Sequence, residues 1–281
     1  MLQLRLKAFS SLVTLPRIVT KRFSHVEQKV NVNGININIV QCGNGDKSLL
    51  LMPGALGSAW TDFKPQIEKL PKLLPNYKII AWDPPGYGMS IPPKRKWGLD
   101  VFHNDARCAV DLMTQLGRPK FSIIGWSGGG ITGLIAAGTY INNVEKLIVC
   151  AAGAYLIPTE VKAFHGLRDV SQWSPSMREP MEKLYGPERF VELWNEWVDM
   201  LYTFQQENDG DFCRKEVSRI TAPTLILRGN KDSMIAPEPM AYLRDHIKSA
   251  RYYEFPDGKH NFHLRYVDEF NRLVADFLLA N

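Results

Sequence analysis

The sequence has no apolar run of the roughly 18 uninterrupted residues that a membrane-spanning helix requires. The closest approach, residues 131–141, is broken by Gly and Thr, which excludes a helical membrane protein. Nor is there a CxxC pair or a Cys/His cluster at metal-ligand spacing, because Cys42, Cys108, Cys150 and Cys213 lie far apart. A disulfide framework and a structural zinc site are thereby excluded, and the four thiols read as reduced side chains of a non-secretory compartment. Internal repeats and low-complexity tracts are absent too. With 45% hydrophobic and 22% charged residues, 281 positions suffice for one large globular domain or two small ones.

Acid is missing from the N-terminus, where Arg5, Lys7, Arg17, Lys21 and Arg22 all precede the first carboxylate, Glu27. Setting those five cations aside leaves 29 basic against 29 acidic residues. The body is neutral, so the net charge of +5 is no footprint of nucleic-acid binding. A basic, hydroxyl-containing, acid-free start interleaved with Leu, Phe, Val and Ile reads as a mitochondrial transit peptide over residues 1–26. A secretory signal fits less well, since no compact apolar stretch precedes a small-residue cleavage site. A basic arm is the alternative, because Pro16 would interrupt a transit helix.

After about residue 26, short β-branched runs alternate with longer amphipathic segments. Residues 29–40 read as a hairpin turning at Asn33-Gly34. Runs of strand length follow at 48–52, 77–82, 121–125, 146–150, 224–228 and 251–255, with helical patterns at 63–70, 101–116, 129–140, 237–247 and 267–279. Nearly continuous apolar strands separated by helices imply an α/β fold with a mostly parallel, doubly wound sheet covered on both faces. Residues 155–219 break the rhythm: they hold no convincing strand, and Trp173, Tyr185, Phe190, Trp194, Trp197, Tyr202 and Phe204 crowd among helix formers. The expectation is a core of residues 27–154 and 220–281 with a helical lid, 155–219, over the C-terminal strand ends. Most of those aromatics are expected to pack the lid onto the core rather than to touch substrate.

The most informative stretch is Gly125-Trp126-Ser127-Gly128-Gly129, a G-x-S-x-G pattern between a predicted strand and a predicted helix. A sharp strand-to-helix turn exposes the serine at a helix N-terminus, and small neighbours let the turn close. A serine hydroxyl is a weak nucleophile, so it needs a base and a group to orient that base. Asp232 sits in the turn after the run 224–228, and His260 follows the run 251–255, giving the order Ser127, Asp232, His260. His263 is a possible base, and as half of a His-x-x-His pair it invites a metal, but no third ligand is evident. Asp257 would have to orient a histidine almost adjacent to it, a poor geometry. The Gly128 N–H and that of Ala55, in the turn Pro53-Gly54-Ala55-Leu56-Gly57-Ser58, are the expected oxyanion donors, with Leu56 the neighbouring alternative. The turn cluster 83–90 reads as scaffold.

At these residues the chain resembles the α/β-hydrolase fold enzymes from about residue 30 to its end. Within them it is similar to the valacyclovir hydrolase-like (biphenyl hydrolase-like) branch, through the turn 53–58, Ala81-Trp82-Asp83-Pro84, Arg168-Asp169-Val170-Ser171, Cys213-Arg214 and the stretch 258–265. The resemblance implies a serine esterase acting on α-amino-acid esters, a mitochondrial location and a helical lid. In that branch the residue after the nucleophile is an aspartate that holds the substrate's α-ammonium group, a charge-assisted contact of roughly 1.5–3 kcal/mol. Here that specificity position is Gly128, so recognition of an amino group would fall to a lid acid such as Glu160 or Asp169. The expected protein is a monomeric hydrolase of small carboxylic esters or thioesters, with no cofactor, metal, nucleic acid or membrane partner. A carbon–carbon bond hydrolase or cofactor-free peroxidase using the same triad, and a non-catalytic ligand-binding protein, are the alternatives.

Overall fold

The structure is a computed structural model that describes residues 24–248 and 250–280. The leader expected over residues 1–26 lies outside the described residues except at 24–26, where the first strand has begun. That strand, β1 (His25–Val32), turns into β2 (Ile35–Cys42) through Asn33 and Gly34 at φ 51° and 87°. Two consecutive positive φ values make the tight turn whose twist matches paired strands, and Asn-Gly tolerates them best.

Six further strands complete the sheet: β3 (Lys47–Met52), β4 (Tyr77–Trp82), β5 (Phe121–Trp126), β6 (Val144–Cys150), β7 (Thr224–Gly229) and β8 (Ala250–Phe255). Their spatial order is β1-β2-β4-β3-β5-β6-β7-β8, with β1, β2 and β4 pairing antiparallel and the rest parallel. Successive side chains of a strand point to opposite faces, which is why the central runs are apolar throughout. Leu49 and Leu51 pack with α1 (Ala59–Leu73) and α10 (Val267–Leu279), whereas Leu50 and Met52 pack with α2 (Val101–Gln115) and α3 (Gly128–Thr139). The chain leaves β3 toward one edge of the sheet and β5 toward the other, so the crevice between their C-terminal ends is a topological switch point.

One helix starts earlier than its periodicity suggests. α1 begins at Ala59 because the Ser58 hydroxyl accepts the Thr61 N–H at 3.1 Å while the Thr61 hydroxyl accepts the Ser58 N–H at 2.8 Å. Its backbone then leaves helical geometry at Phe63, two residues before Pro65, which interrupts the apolar pattern.

Between β6 and β7 the chain forms α4 (Pro158–Gly166), α5 (Pro175–Tyr185), α6 (Pro187–Glu207) and the short α7 (Arg214–Val217). A single bridge, Tyr155 to Asp211, is the one strand-like pairing among the described residues of this insertion. Phe190, Trp194, Trp197 and Phe204 are buried, and Trp197 meets the core at Phe102 with ring centroids 5.9 Å apart. Tyr202, by contrast, is 55% exposed. The remaining helices are α8 (Pro237–His246), after β7, and α9 (Phe262–Arg265), after β8. None of the helices among the described residues is long and apolar enough to cross a membrane.

Candidate active site

Ser127 lies between the end of β5 and the first residue of α3, with φ 53° and ψ −122°, a conformation strained for a side chain with a Cβ. Its neighbours explain why the turn closes. A Cβ on Gly125 would stand 2.3 Å from the Gly129 carbonyl oxygen, and one on Gly129 would stand 2.2 Å from that of Met52. The Ser127 N–H donates to the Cys150 carbonyl at 2.9 Å, pinning the turn to the end of β6.

The three residues expected to act together are brought together. His260 Nε2 is 3.1 Å from Ser127 Oγ, and His260 Nδ1 is 2.9 Å from Asp232 Oδ2. Asp232 is held in turn, its other oxygen accepting the N–H groups of Met234 at 2.8 Å and Ile235 at 3.1 Å. Burial pushes its carboxyl up, but His260 and the two N–H donors outweigh burial and leave it below the usual range, so it is a carboxylate at neutral pH. The loops after β7 and β8 interlock through the Lys231 N–H and Gly258 carbonyl at 2.8 Å, which fixes Asp232 relative to His260. Trp126, the variable position before the serine, donates its Nε1–H to the His260 carbonyl at 2.9 Å, a contact no spacing in the sequence reveals.

The competing residues serve elsewhere. His263 is fully buried and donates Nε2–H to the Asp62 carbonyl at 2.9 Å, and burial drives its pKa down to about 3, so it is a neutral core histidine. Asp257 points outward in an ion pair with Lys231. Within the turn cluster 83–90, the Asp83 carboxylate accepts the N–H groups of Ala59 and Met89, both at 2.8 Å, which is a scaffold contact.

The turn after β3 is closed by the Gly57 N–H to the Gly54 carbonyl at 3.1 Å and held from inside by the Gly54 N–H to Asp62 Oδ2 at 2.9 Å. Leu56 takes a left-handed φ of 59° there. A Cβ built on Gly128 would lie 3.4 Å from the Ala55 nitrogen, so the two expected donors converge on one region. No acceptor among the described residues takes either N–H. Both stand at the N-terminus of α3, where the helix dipole also favours negative charge.

Two cavities meet at Gly128 and Trp197. One lies beside Ala55, bounded by Trp82, Tyr87, Phe102 and the buried Arg95–Asp105 pair, and the other beside Ser127, bounded by Ile131, Tyr155, Glu160, Phe164 and Leu201. The Cβ that Gly128 lacks would stand 3.3 Å from the Trp197 ring, so an indole from α6 occupies the neighbourhood of the missing side chain. Of the two acids of the insertion, Glu160 reaches the Ser127 cavity and Asp169 does not. Glu160 is 3% exposed and accepts the N–H groups of Ile157 at 3.0 Å and Ala236 at 2.7 Å. Burial outweighs those two bonds and raises its pKa to about 7. Asp169 is exposed, and its carboxylate accepts the Ser171 N–H and hydroxyl at the start of a 3₁₀ turn.

A strained serine, a relayed imidazole and two free N–H groups at a switch point define a hydrolase of the α/β type, and comparison with known proteins agrees. The α/β hydrolase family model matches residues 49–273, and the chain belongs to that family. It is 44% identical over 250 residues to Serine hydrolase BPHL of Homo sapiens, covering 89% of this chain and 85% of that one. To Serine hydrolase BPHL of Mus musculus it is 41% identical over 280 residues, covering 99% and 96%. Among solved structures, the meta-cleavage product hydrolase of Pseudomonas fluorescens shares the fold with a TM-score of 0.73 at 19% identity, covering 89% and 97%. The protein is a serine hydrolase.

Proposed function

We propose that this serine hydrolase cleaves small carboxylic esters through an acyl-enzyme formed on Ser127. His260 Nε2 takes the Ser127 proton as Oγ attacks the ester carbonyl, while Asp232 holds Nδ1–H and stabilises the imidazolium. Charge on the carbonyl oxygen is met by the Ala55 and Gly128 N–H groups. Collapse expels the alkoxide, which takes the proton from His260. Water then attacks the acyl carbon with His260 again as base, releasing the acid and restoring Ser127. The observation that carries this reading is the unbroken chain Asp232 to His260 to Ser127, at 2.9 and 3.1 Å, facing two unoccupied backbone donors. All of these groups come from one chain, which suits a monomer.

α-Amino-acid esters are a subset within this proposal. Gly128 has no carboxylate to offer an ammonium group, but Glu160 borders the same cavity as Ser127 and has lone pairs beyond the two N–H groups it accepts. Residues 1–26 complete the proposal as a mitochondrial transit segment, supported by five cations and no acid before Glu27. Fusion of that segment to a fluorescent reporter tests it: mitochondrial import is expected, and a diffuse signal contradicts it.

Paired p-nitrophenyl esters, with and without a free α-amino group, test the chemistry. Both are expected to be hydrolysed by the protein lacking residues 1–23. Preference for the amino ester should vanish in Glu160→Gln if Glu160 recognises the cation. An enzyme that ignores both esters yet cleaves a carbon–carbon substrate would overturn the ester reading and keep the triad.

A further inference from the structure

Tyr185, the last residue of α5, carries a hydroxyl able to donate one hydrogen bond and accept others. It does both at once across the boundary between the insertion and the core. Its Oη donates to the Leu56 carbonyl at 2.7 Å and accepts the Gly88 N–H at 2.8 Å. The first of these partners belongs to the turn that presents the Ala55 N–H. We propose that Tyr185 is a positioning residue of the oxyanion hole: the helical insertion, through this one hydroxyl, fixes the Leu56 peptide and thereby the direction of the Ala55 N–H. The inference rests on the assignment of Ala55 as an oxyanion donor.

The need for such a clamp follows from the turn itself. Leu56 has a buried branched side chain at φ 59°, a region that L residues other than glycine, asparagine and aspartate enter at a cost. From the core side the turn is held at Gly54, by Asp62, and closed on itself by the Gly57 N–H. The Gly57 N–H and the Leu56 carbonyl are two ends of one planar peptide, and the Gly54 carbonyl that accepts this N–H shares its own peptide with the Ala55 N–H, so Tyr185 holds the outer end of a chain that leads to Ala55. Without the tyrosine hydroxyl, the Leu56 carbonyl and the Gly88 N–H both lose their partner, and the cheapest relief is rotation of the Leu56 peptide toward an ordinary conformation. Such a rotation breaks the Gly57 N–H bond to the Gly54 carbonyl, and so frees the Gly54–Ala55 peptide to turn the Ala55 N–H away from the Gly128 N–H. Burial raises the Tyr185 pKa well above its ordinary value, so the hydroxyl keeps its proton and stays a donor across the working pH range.

A second tie between the same two regions supplies the control. Trp97 Nε1–H donates to Glu196 Oε2 at 2.9 Å, joining the segment before α2 to α6 without touching the turn at 53–57. Loosening of the insertion in general and loss of the oxyanion clamp are therefore separable.

The test compares Y185F, W97F and the unmutated enzyme on a neutral p-nitrophenyl ester, with affinity for an alkylboronic acid as second readout. In that adduct the Ser127 Oγ–B bond forms, the serine proton passes to His260, and boron becomes tetrahedral and anionic, so its stability reports the oxyanion site. Removing an oxyanion donor outright costs about 10²–10³ in kcat, so misdirecting one should cost about 10–100-fold. Y185F is expected to lose that factor in kcat and in boronate affinity together, with KM changed less than about threefold, while W97F stays near the unmutated enzyme. Unchanged kcat in Y185F, an effect confined to KM, or an equal loss in W97F would overturn the proposal. Inactivity of the unmutated enzyme on every ester would instead sink the underlying ester reading. Should Y185F not fold, fluorotyrosine placed at position 185 changes the hydroxyl's donor strength and keeps the ring: a response in kcat without one in KM supports the clamp, and indifference overturns it.

Discussion

The nucleophile turn and the helical insertion are held in place by opposite means. Around Ser127 the constraint is backbone against backbone: Gly125 and Gly129 sit where any Cβ would collide with a carbonyl oxygen, so sterics alone dictate residue type. In the insertion the constraint comes from side chains, through interleaved aromatics such as Trp173 against Trp194 at 4.7 Å and through Tyr185 and Glu160, whose polar ends bind backbone groups elsewhere in the chain. A site fixed by backbone sterics tolerates almost no substitution and leaves a motif. One fixed by side-chain packing tolerates repacking, and specificity can change there without disturbing the chemistry.

Substitutions that spare the fold but remove one charge should show the largest effect on the rigid half. Asp232→Asn keeps the shape and loses the carboxylate that selects the His260 tautomer, so kcat should fall by about 10⁴ in steady-state assays, with the melting temperature far less affected. A fall of less than tenfold would mean that another group orients His260. Next comes a direct contrast between glycines. Gly129→Ala places a methyl against the Met52 and Pro53 carbonyls, whereas Gly166→Ala, at the end of α4, meets nothing within 4 Å. Thermal melts should show the first losing about 3 kcal/mol and the second neutral or stabilised by about 0.5 kcal/mol. Equal melting temperatures would erase the distinction between the two regions.

The pH dependence of stability sharpens the comparison with one carboxyl on each side. Burial raises both Asp62, behind the oxyanion turn, and Glu160, in the insertion, to about 7. The folded protein then holds protons that the unfolded chain releases near pH 4, so each group stabilises most at low pH and that stability is lost as pH rises through about 7. Asp232, shifted down, acts in the opposite sense, and only below its ordinary range. Urea midpoints measured from pH 4.5 to 7.5 should decline less steeply in Asp62→Asn and in Glu160→Gln than in the unmutated protein. Unaltered slopes in both variants would show that neither carboxyl carries the shift. The smallest effect is expected at Trp126→Phe, which removes a single neutral hydrogen bond to the His260 carbonyl and should lower kcat by no more than about tenfold.

Much of the rigid half is legible in the sequence, for the same reason that it is rigid. The Asn33-Gly34 turn, the alternating strands and helices, and the order Ser127, Asp232, His260 all follow from local residue types at local spacing. The start of α1 is less legible, since Pro65 and Pro71 interrupt its pattern and its Ser58–Thr61 capping pair lies outside the apolar run. Contacts that depend on tertiary distance leave no local mark. Tyr185 meets Leu56 across 129 positions, Trp126 meets His260 across 134, and Glu160 meets Ala236 across 76. The choice between Glu160 and Asp169 as the acid of the insertion likewise needs the cavity, because both are single carboxylates among helix formers.

The most direct test of the central claim is a pre-steady-state hydrolysis of a p-nitrophenyl ester, quenched at early times and followed by mass spectrometry of the Ser127 peptide, for the unmutated enzyme and Ser127→Ala. The expected result is a burst of about one equivalent of p-nitrophenol with the acyl mass on Ser127, and a Ser127→Ala variant that is folded but slower by at least about 10⁴. Near-normal turnover in Ser127→Ala, or acylation of some other residue, would contradict the account.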